Sequence, residues 1–422
     1  MLLTTVFGSA QIYETRIVDP TVRTLRMRYY DVETQSAEKG PDRCYLQMND
    51  GFIDATGDRN GRVVEISFDQ MSHDFQQYTY TVLHLDRNGK ADELNSGEYL
   101  QGFTTKDITN YETSFNTSRD YTHYTFLFPN EDMTITASGL YAIVVYPSGY
   151  PDSVVLVQQL MVADSKVKIG ISERGNTDIE FNGHYQQIEL SLSNLTDSEI
   201  ARAYSICVRQ NGRTDNEVKG VYPTYIESSA LKWQNCRALI FQGGNEYRHI
   251  DIYSRSMAGN NVDRIRYDHR DYHAFLEPTL NRGNDVYIYE PDADGQFLIN
   301  AERVTDVDTE AEYMWVHFVL PAEVPYLDGD IYVGGEWNQN RLNNRNKMSY
   351  DAENRCYYLT ALMKQGGYDF AYWFKGKDGK VDMRRIEGSH WQTENTYEVI
   401  VYYRPTGGRY DQIVGIQNLK TQ

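Results

Sequence analysis

Apolar and polar residues alternate with period two along most of this chain, and no long window sustains the 3.6-residue repeat of an amphipathic helix. In the first third, segments 63–69, 78–85, 122–128, 139–146 and 154–162 each alternate or run apolar for the length of a strand, with Gly, Pro, Asn and Asp between them. That spacing predicts an immunoglobulin-like sandwich. A second set, 185–193, 203–210, 237–241, 249–253 and 286–289, begins after Lys166 and predicts another. The third set is 312–320, 330–334, 357–363, 367–374, 397–404 and 411–416. The expected class is therefore all-β, with three tandem immunoglobulin-like or early-set β-sandwich domains at 11–165, 166–297 and 298–422. A length of 422 residues accommodates three such units of about 100–150 residues each.

Two local patterns sharpen this reading. In Tyr368-Asp-Phe-Ala-Tyr-Trp-Phe374 the rings of Tyr368, Phe370, Tyr372 and Phe374 fall on one face, as a strand packing an aromatic stripe into a core requires. Asp294-Gly295, between 286–290 and 297–300, carries the signature of a tight hairpin turn. Asp292, Asp294 and Gly295 would also suit the start of a calcium loop, but the ligand series of an EF-hand is missing. The polar stretch 31–62, with turn pairs Gly40-Pro41 and Asp50-Gly51 and an edge-strand candidate at 44–48, reads as a long functional or mobile loop.

Thirty-five tyrosines suit strands, where a ring packs on the pleated surface and its hydroxyl stays wet. The net charge of −19 is uneven: residues 1–165 hold 12 basic and 23 acidic side chains, a balance of −11. Such a surface repels phosphate backbones and anionic lipid, and favours a basic protein partner. Residues 1–10, apolar with Gly8 and Ala10 before Gln11, read either as the remnant of a signal peptide or as a frayed terminus. The longest apolar run elsewhere, 140–146, is too short to span a bilayer.

Candidate chemistry is sparse. The sequence has no G-x-S-x-G elbow, P-loop, Rossmann fingerprint or H-E-x-x-H motif. Cys44, Cys207, Cys236 and Cys356 have no zinc or redox spacing; Cys207 and Cys236 share a predicted domain and could pair, or remain buried thiols. His269 and His273 would converge on a metal only on a helix, whereas their surroundings are strand-like. No two carboxylates stand out as a glycosidase pair. Trp337, in Gly334-Gly-Glu-Trp-Asn338, together with Trp373 and Trp391, could form a sugar-stacking platform of the kind early-set domains of carbohydrate-active proteins carry. Expected catalytic residues, cofactors and metals are none.

Several blocks, in order, resemble the type IX secretion system plug family from about Leu25 onward. They include Glu65-Ile-Ser-Phe-Asp69, Tyr78-Thr-Tyr80, His84-Leu-Asp86, Gly97-Glu-Tyr-Leu-Gln-Gly-Phe103, Ser114-Phe-Asn-Thr117, Ser138-Gly-Leu-Tyr141, Gly243-Gly-Asn-Glu-Tyr-Arg248, Asp294-Gly-Gln-Phe297, Lys364-Gln-Gly-Gly-Tyr368, Glu387-Gly388, Thr393-Glu-Asn395 and Val401-Tyr-Tyr-Arg404. Gly97, Glu98, Tyr99, Gly102 and Phe103, with Gly243, Gly244, Asn245, Glu246 and Arg248, form the family signature and read as architecture; Gly97, Gly102, Gly139 and Gly367 suit turns of positive φ. The family pattern has a Cys after the first His of the His-x-Asp block and a Trp shortly beyond, where this chain has Leu85 and Asn88-Gly89. The resemblance implies a non-enzymatic periplasmic protein. It would bind the outer-membrane translocon barrel and occlude its pore, meeting the membrane only through that partner, with neither nucleic acid nor small-molecule substrate. A carbohydrate-binding C-terminal domain is the alternative expectation, and a glycoside hydrolase a third.

Overall fold

The computed structural model describes residues 11–38, 43–48, 50–195 and 200–421; the leader-like residues 1–10 and the Gly40-Pro41 turn lie outside the described residues. The fold is all-β, and its α-helices are single turns such as Ser96–Tyr99 and Arg384–Glu387. No helix among the described residues is long and apolar enough to cross a membrane.

The first core lies between two sheets. One orders Ser36–Ala37, Val22–Asp31, Arg62–Gln70, Thr122–Phe128 and Asn110–Thr113. The other contains Leu156–Ala163, Gly139–Pro147, Tyr78–Leu85 and Thr105–Ile108. Inward residues of both, among them Val64, Ile66, Phe68, Tyr80, Tyr124 and Tyr141, form one apolar cluster, with the Phe68 and Tyr124 rings stacked at 5.2 Å. The stretch expected as a long loop contributes to this core: Leu46 and Ile53 are fully buried, and Tyr45–Gln47 adds to the sheet edge beside Leu156–Ala163.

The second of these sheets does not stop at the first unit. Leu156–Ala163 meets Gln412–Lys420 in parallel through Ala163 and Ile413, and the sheet continues through Thr396–Tyr403, Tyr204–Gln210 and Val218–Lys219. The last two strands of the chain thus cover the sheet of Lys168–Arg174, Tyr185–Ser193 and Ala230–Trp233, sharing a core that holds Ile188, Leu190, Trp233, Val399 and Val401. Conversely, Val262–Tyr267 and Tyr272–Leu276 pair beside Tyr313–Pro321 and Cys356–Lys364, while Arg248–Asp251 pairs with Gly366–Gly376.

The boundary expected after residue 297 is therefore crossed in both directions, and the strands of 166–297 and 298–422 interleave. The physical reason is that alternation marks a strand but carries no information on its partner. Gly366–Gly376 needs apolar cover on both faces, because Asp369, Ala371 and Trp373 are buried as well as the predicted Tyr368, Phe370, Tyr372 and Phe374 stripe.

Candidate partner-binding surface

The first signature block forms a turn fixed from both ends of the chain. Asn95 precedes the helical turn Ser96–Tyr99, and its N–H donates to the Glu98 carboxylate at 2.8 Å. Arg409 donates to the same carboxylate at 2.8 Å, and the Asn95 N–H first, then Arg409, hold that carboxyl below its usual range. Tyr99 is buried, with its hydroxyl donating to the Val82 carbonyl. Gly102 takes φ +104°, and a Cβ there would strike the Asp132 carbonyl. Gly97 needs no such freedom: it lies in the helical turn with open space around it. Phe103, the large apolar side chain at the end of the block, leaves 64% of its surface exposed. His84 is buried under Tyr141 and Tyr410 and bonded to Asp92, so the His-x-Asp block serves packing.

The second block is a joint where distant segments meet. Gly243 presses on the His390 backbone, where any Cβ would collide with the carbonyl, and Asn395 donates to the Gly243 carbonyl at 2.8 Å. Thr393 donates to the Gly244 carbonyl, and Asn245 to the Glu387 carbonyl, each at 2.8 Å. Arg248 and Arg282 grip Glu387, whose carboxylate is fully buried and also accepts from the Tyr372 N–H at 2.7 Å. Burial alone would raise the Glu387 carboxyl; the two guanidiniums reverse this and lower it. Glu246 accepts from the Tyr287 hydroxyl at 2.5 Å and the Glu394 N–H at 3.1 Å, and burial raises its carboxyl. The blocks at 243–248, 387–388 and 393–395 thus form one hydrogen-bonded cluster.

Beside this joint runs the segment expected as strand 286–290. Asp294 and Gly295 adopt φ +54° and +82°, as a tight hairpin turn requires, yet the hairpin does not form. Phe297–Ile299 pairs instead with Gly366–Tyr368, and 286–290 is left without a partner strand. Tyr287 points inward to Glu246, while Val286 and Ile288 are 81% and 67% exposed.

The other expected sites are not assembled. Trp373 is fully buried beneath the Arg213 guanidinium, so it offers no face to a sugar; its neighbours are Tyr247, Tyr332 and Met383. Trp337 packs against a different apolar cluster, and Trp391 lies against Gly175. Cys207 and Cys236 are free, buried in separate clusters on opposite sides of the long sheet, and burial pushes the Cys207 thiol up to about 11. His269 sits in an exposed turn, whereas His273 lies on a strand and bonds His317 at 2.9 Å. Among the described residues no group of three or more His, Cys, Asp and Glu is placed to hold a metal ion.

A cavity of about 210 Å³ opens between the units, walled by Arg26, Arg43, Arg209, Glu336, Arg341 and Glu398. Most of these charges are engaged: Arg26 with Asp308, Arg209 with Glu217 and Glu398, and Arg341 with Glu14. Burial raises the Glu336 carboxyl, opposed by Arg43. The cavity is a seam of alternating charge between packed sheets.

Residues 55–164 match the model of the type 9 secretion system plug protein first domain. The whole fold is similar to the crystal structure of a hypothetical protein from Parabacteroides merdae ATCC 43184, at 31% identity and a TM-score of 0.89, covering 97% of this chain and 100% of that one. No curated protein matches. The matched residues hold the first signature block and its core, and the second protein extends the likeness along the chain. The chain belongs to the type IX secretion system plug family, which places it in type IX secretion and outside the cytoplasm.

Proposed function

We propose that this protein is a non-enzymatic periplasmic plug that binds the outer-membrane barrel of the type IX translocon and occludes its pore when export is not engaged. The family match over residues 55–164 carries this reading. The structure supports it through rigidity, since an occluding body must resist deformation by the pore. Buried and partly buried polar links bind the first unit to segments more than 150 positions away, as in Asp69 with Lys364, Arg119 with Asp271, and Tyr121 with the Ala311 carbonyl. The packed cores then act as one obstruction, and the signature blocks act as its joints.

The acidic first unit adds long-range attraction to a basic rim on the barrel, raising the association rate more than the final affinity. Exposed Phe103, on the signature turn, supplies an apolar contact there. Deletion of the protein in its host, followed by uptake of a large hydrophilic antibiotic, tests the reading. Uptake rises in the deletion strain and returns to normal on complementation; an equally sealed envelope without the protein refutes it.

A further inference from the structure

We infer that 286–290 is a preformed acceptor edge for an extended segment of another protein, which adds to it as a β-strand and carries apolar residues at alternate positions with basic residues at its ends. The starting point is main-chain accounting. Among the described residues, no backbone N–H or C=O from Val286 to Glu290 takes part in a hydrogen bond within the protein. No residue of the segment has a positive φ, and Val286 out, Tyr287 in, Ile288 out is the alternation of an extended chain. Five residues is an ordinary strand length.

The segment is held in place even though its backbone is unpaired. On one side, the Arg282 N–H donates to the Ile386 carbonyl at 2.8 Å and the Arg282 side chain binds Glu387 and the Glu246 carbonyl. In the middle, the Tyr287 hydroxyl is fixed by Glu246, with the ring 5.6 Å from that of His390. On the other side, Asp292 accepts from the Tyr247 and Asp294 N–H groups. A strand so anchored has already lost the freedom that pairing would remove, which favours addition of a partner.

Its composition points the same way. Exposed edges are normally blunted by Lys, Pro or a bulge inside the strand, whereas here the outward positions are Val286 and Ile288, followed by exposed Tyr289. The flanking charges, Asp285 and Glu290, are both acidic and exposed, in a chain of net charge −19. An incoming strand therefore gains from Lys or Arg at its ends and from apolar residues on the face it shares with Val286 and Ile288.

The test uses the full chain and a fluorescent peptide that alternates valine and threonine between terminal lysines. A control peptide has the lysines replaced by glutamates. Amide hydrogen exchange is followed with and without peptide. Saturating lysine-flanked peptide is expected to slow exchange of amides within 286–290 at least tenfold, and to bind at least tenfold more tightly than the glutamate-flanked form at low salt. Ile288→Pro removes a donor that no internal bond uses, and is expected to weaken binding at least tenfold while leaving the thermal midpoint unchanged. Val286→Lys with Ile288→Lys serves as a second variant with the same expectation. Unchanged exchange at 286–290, or equal binding by both variants, would overturn the proposal. So would a self-associated protein that becomes monomeric in the double-lysine variant, since the edge would then be covered by a second copy. None of these outcomes depends on the barrel, so they are separable from the plug reading.

Discussion

Asp69 Oδ2 and Lys364 Nζ lie 2.7 Å apart with both side chains wholly out of solvent, although 295 positions separate them in sequence. His123 bonds the other Asp69 oxygen at 2.6 Å, and the Tyr313 hydroxyl donates to Oδ2 at 2.7 Å. Lys364 also donates to the Asp308 carbonyl at 2.6 Å and stands 4.2 Å from the centre of the Tyr121 ring. This network closes the seam between the first unit and the strand Cys356–Lys364. Lys364→Met leaves a buried carboxylate without its cation, and urea denaturation is expected to show a loss of about 3–5 kcal/mol. Adding Asp69→Leu to that variant is expected to recover part of the loss, because no uncompensated charge then remains.

The same network sets an acid limit. Burial would raise the Asp69 carboxyl, but Lys364 and then His123 hold it down at about 2. The unfolded value lies near 3.9, so the folded state binds the proton more weakly and the stabilisation is complete above about pH 4. It is lost as pH falls toward 2. Unfolding free energies measured between pH 5 and 2 are expected to decline across that window in the native protein, and to decline less in Asp69→Asn.

Asp292 has the opposite sign. Burial raises its carboxyl to about 8, above the unfolded value, so its contribution is fully present below about pH 4 and is lost as pH rises through 8. Asp292→Asn is expected to flatten the fall in stability from pH 5 to 9, and to exceed the native protein at pH 9 by about 1 kcal/mol or more. Thermal unfolding at a series of pH values reads this directly.

The two signature glycines that face backbone carbonyls are expected to behave unlike Gly97. Gly102→Ala and Gly243→Ala each force a Cβ onto a main-chain oxygen, at Asp132 and His390, and the expected cost is about 2–3 kcal/mol. Gly97→Ala enters open space and is expected to change stability by less than about 0.5 kcal/mol. Denaturant midpoints of the three variants separate these outcomes.

Phe103 tests contact separately from folding. Its ring is exposed on a turn whose other members are held by Asn95, Arg409 and Val82. Phe103→Ala is expected to leave the thermal midpoint within 2 °C, roughly the scale of a neutral surface change, and to weaken binding to the purified barrel at least tenfold. Surface plasmon resonance at rising ionic strength checks the electrostatic part as well: the association rate falls steeply with salt if the acidic unit steers the encounter.

Much of the strand inventory could be read in the sequence, because segments such as Thr122–Phe128 and Tyr185–Ser193 set apolar residues at alternate positions, Tyr124, Phe126 and Phe128 in the first and Ile188, Leu190 and Leu192 in the second. Val22–Asp31 is harder to read: Leu25, Met27 and Tyr29 alternate with Arg26 and Arg28, but a register shift between Arg23 and Arg26 puts Val22 out of phase with them. Arg26 and Arg28 are instead satisfied by Asp308 and Glu65, which no local pattern reveals. Tyr272–Leu276 shows no polar alternation, because apolar Phe275 shares the outer face with His273, and both rings stack on His317 from another strand. The joint at 243–248 was visible as a block of residues but not as a joint, since its partners lie near 282–287 and 387–395. Trp373 looked available for ligand contact because a sequence does not show that both faces of its strand are covered.

Electrical conductance of the purified barrel complex in a planar bilayer tests the central claim most directly. Reconstituted without this protein, the barrel is expected to pass steady current, and addition of the full chain from the periplasmic side is expected to close it, with recovery on washout. Undiminished current with the protein demonstrably bound would contradict the account.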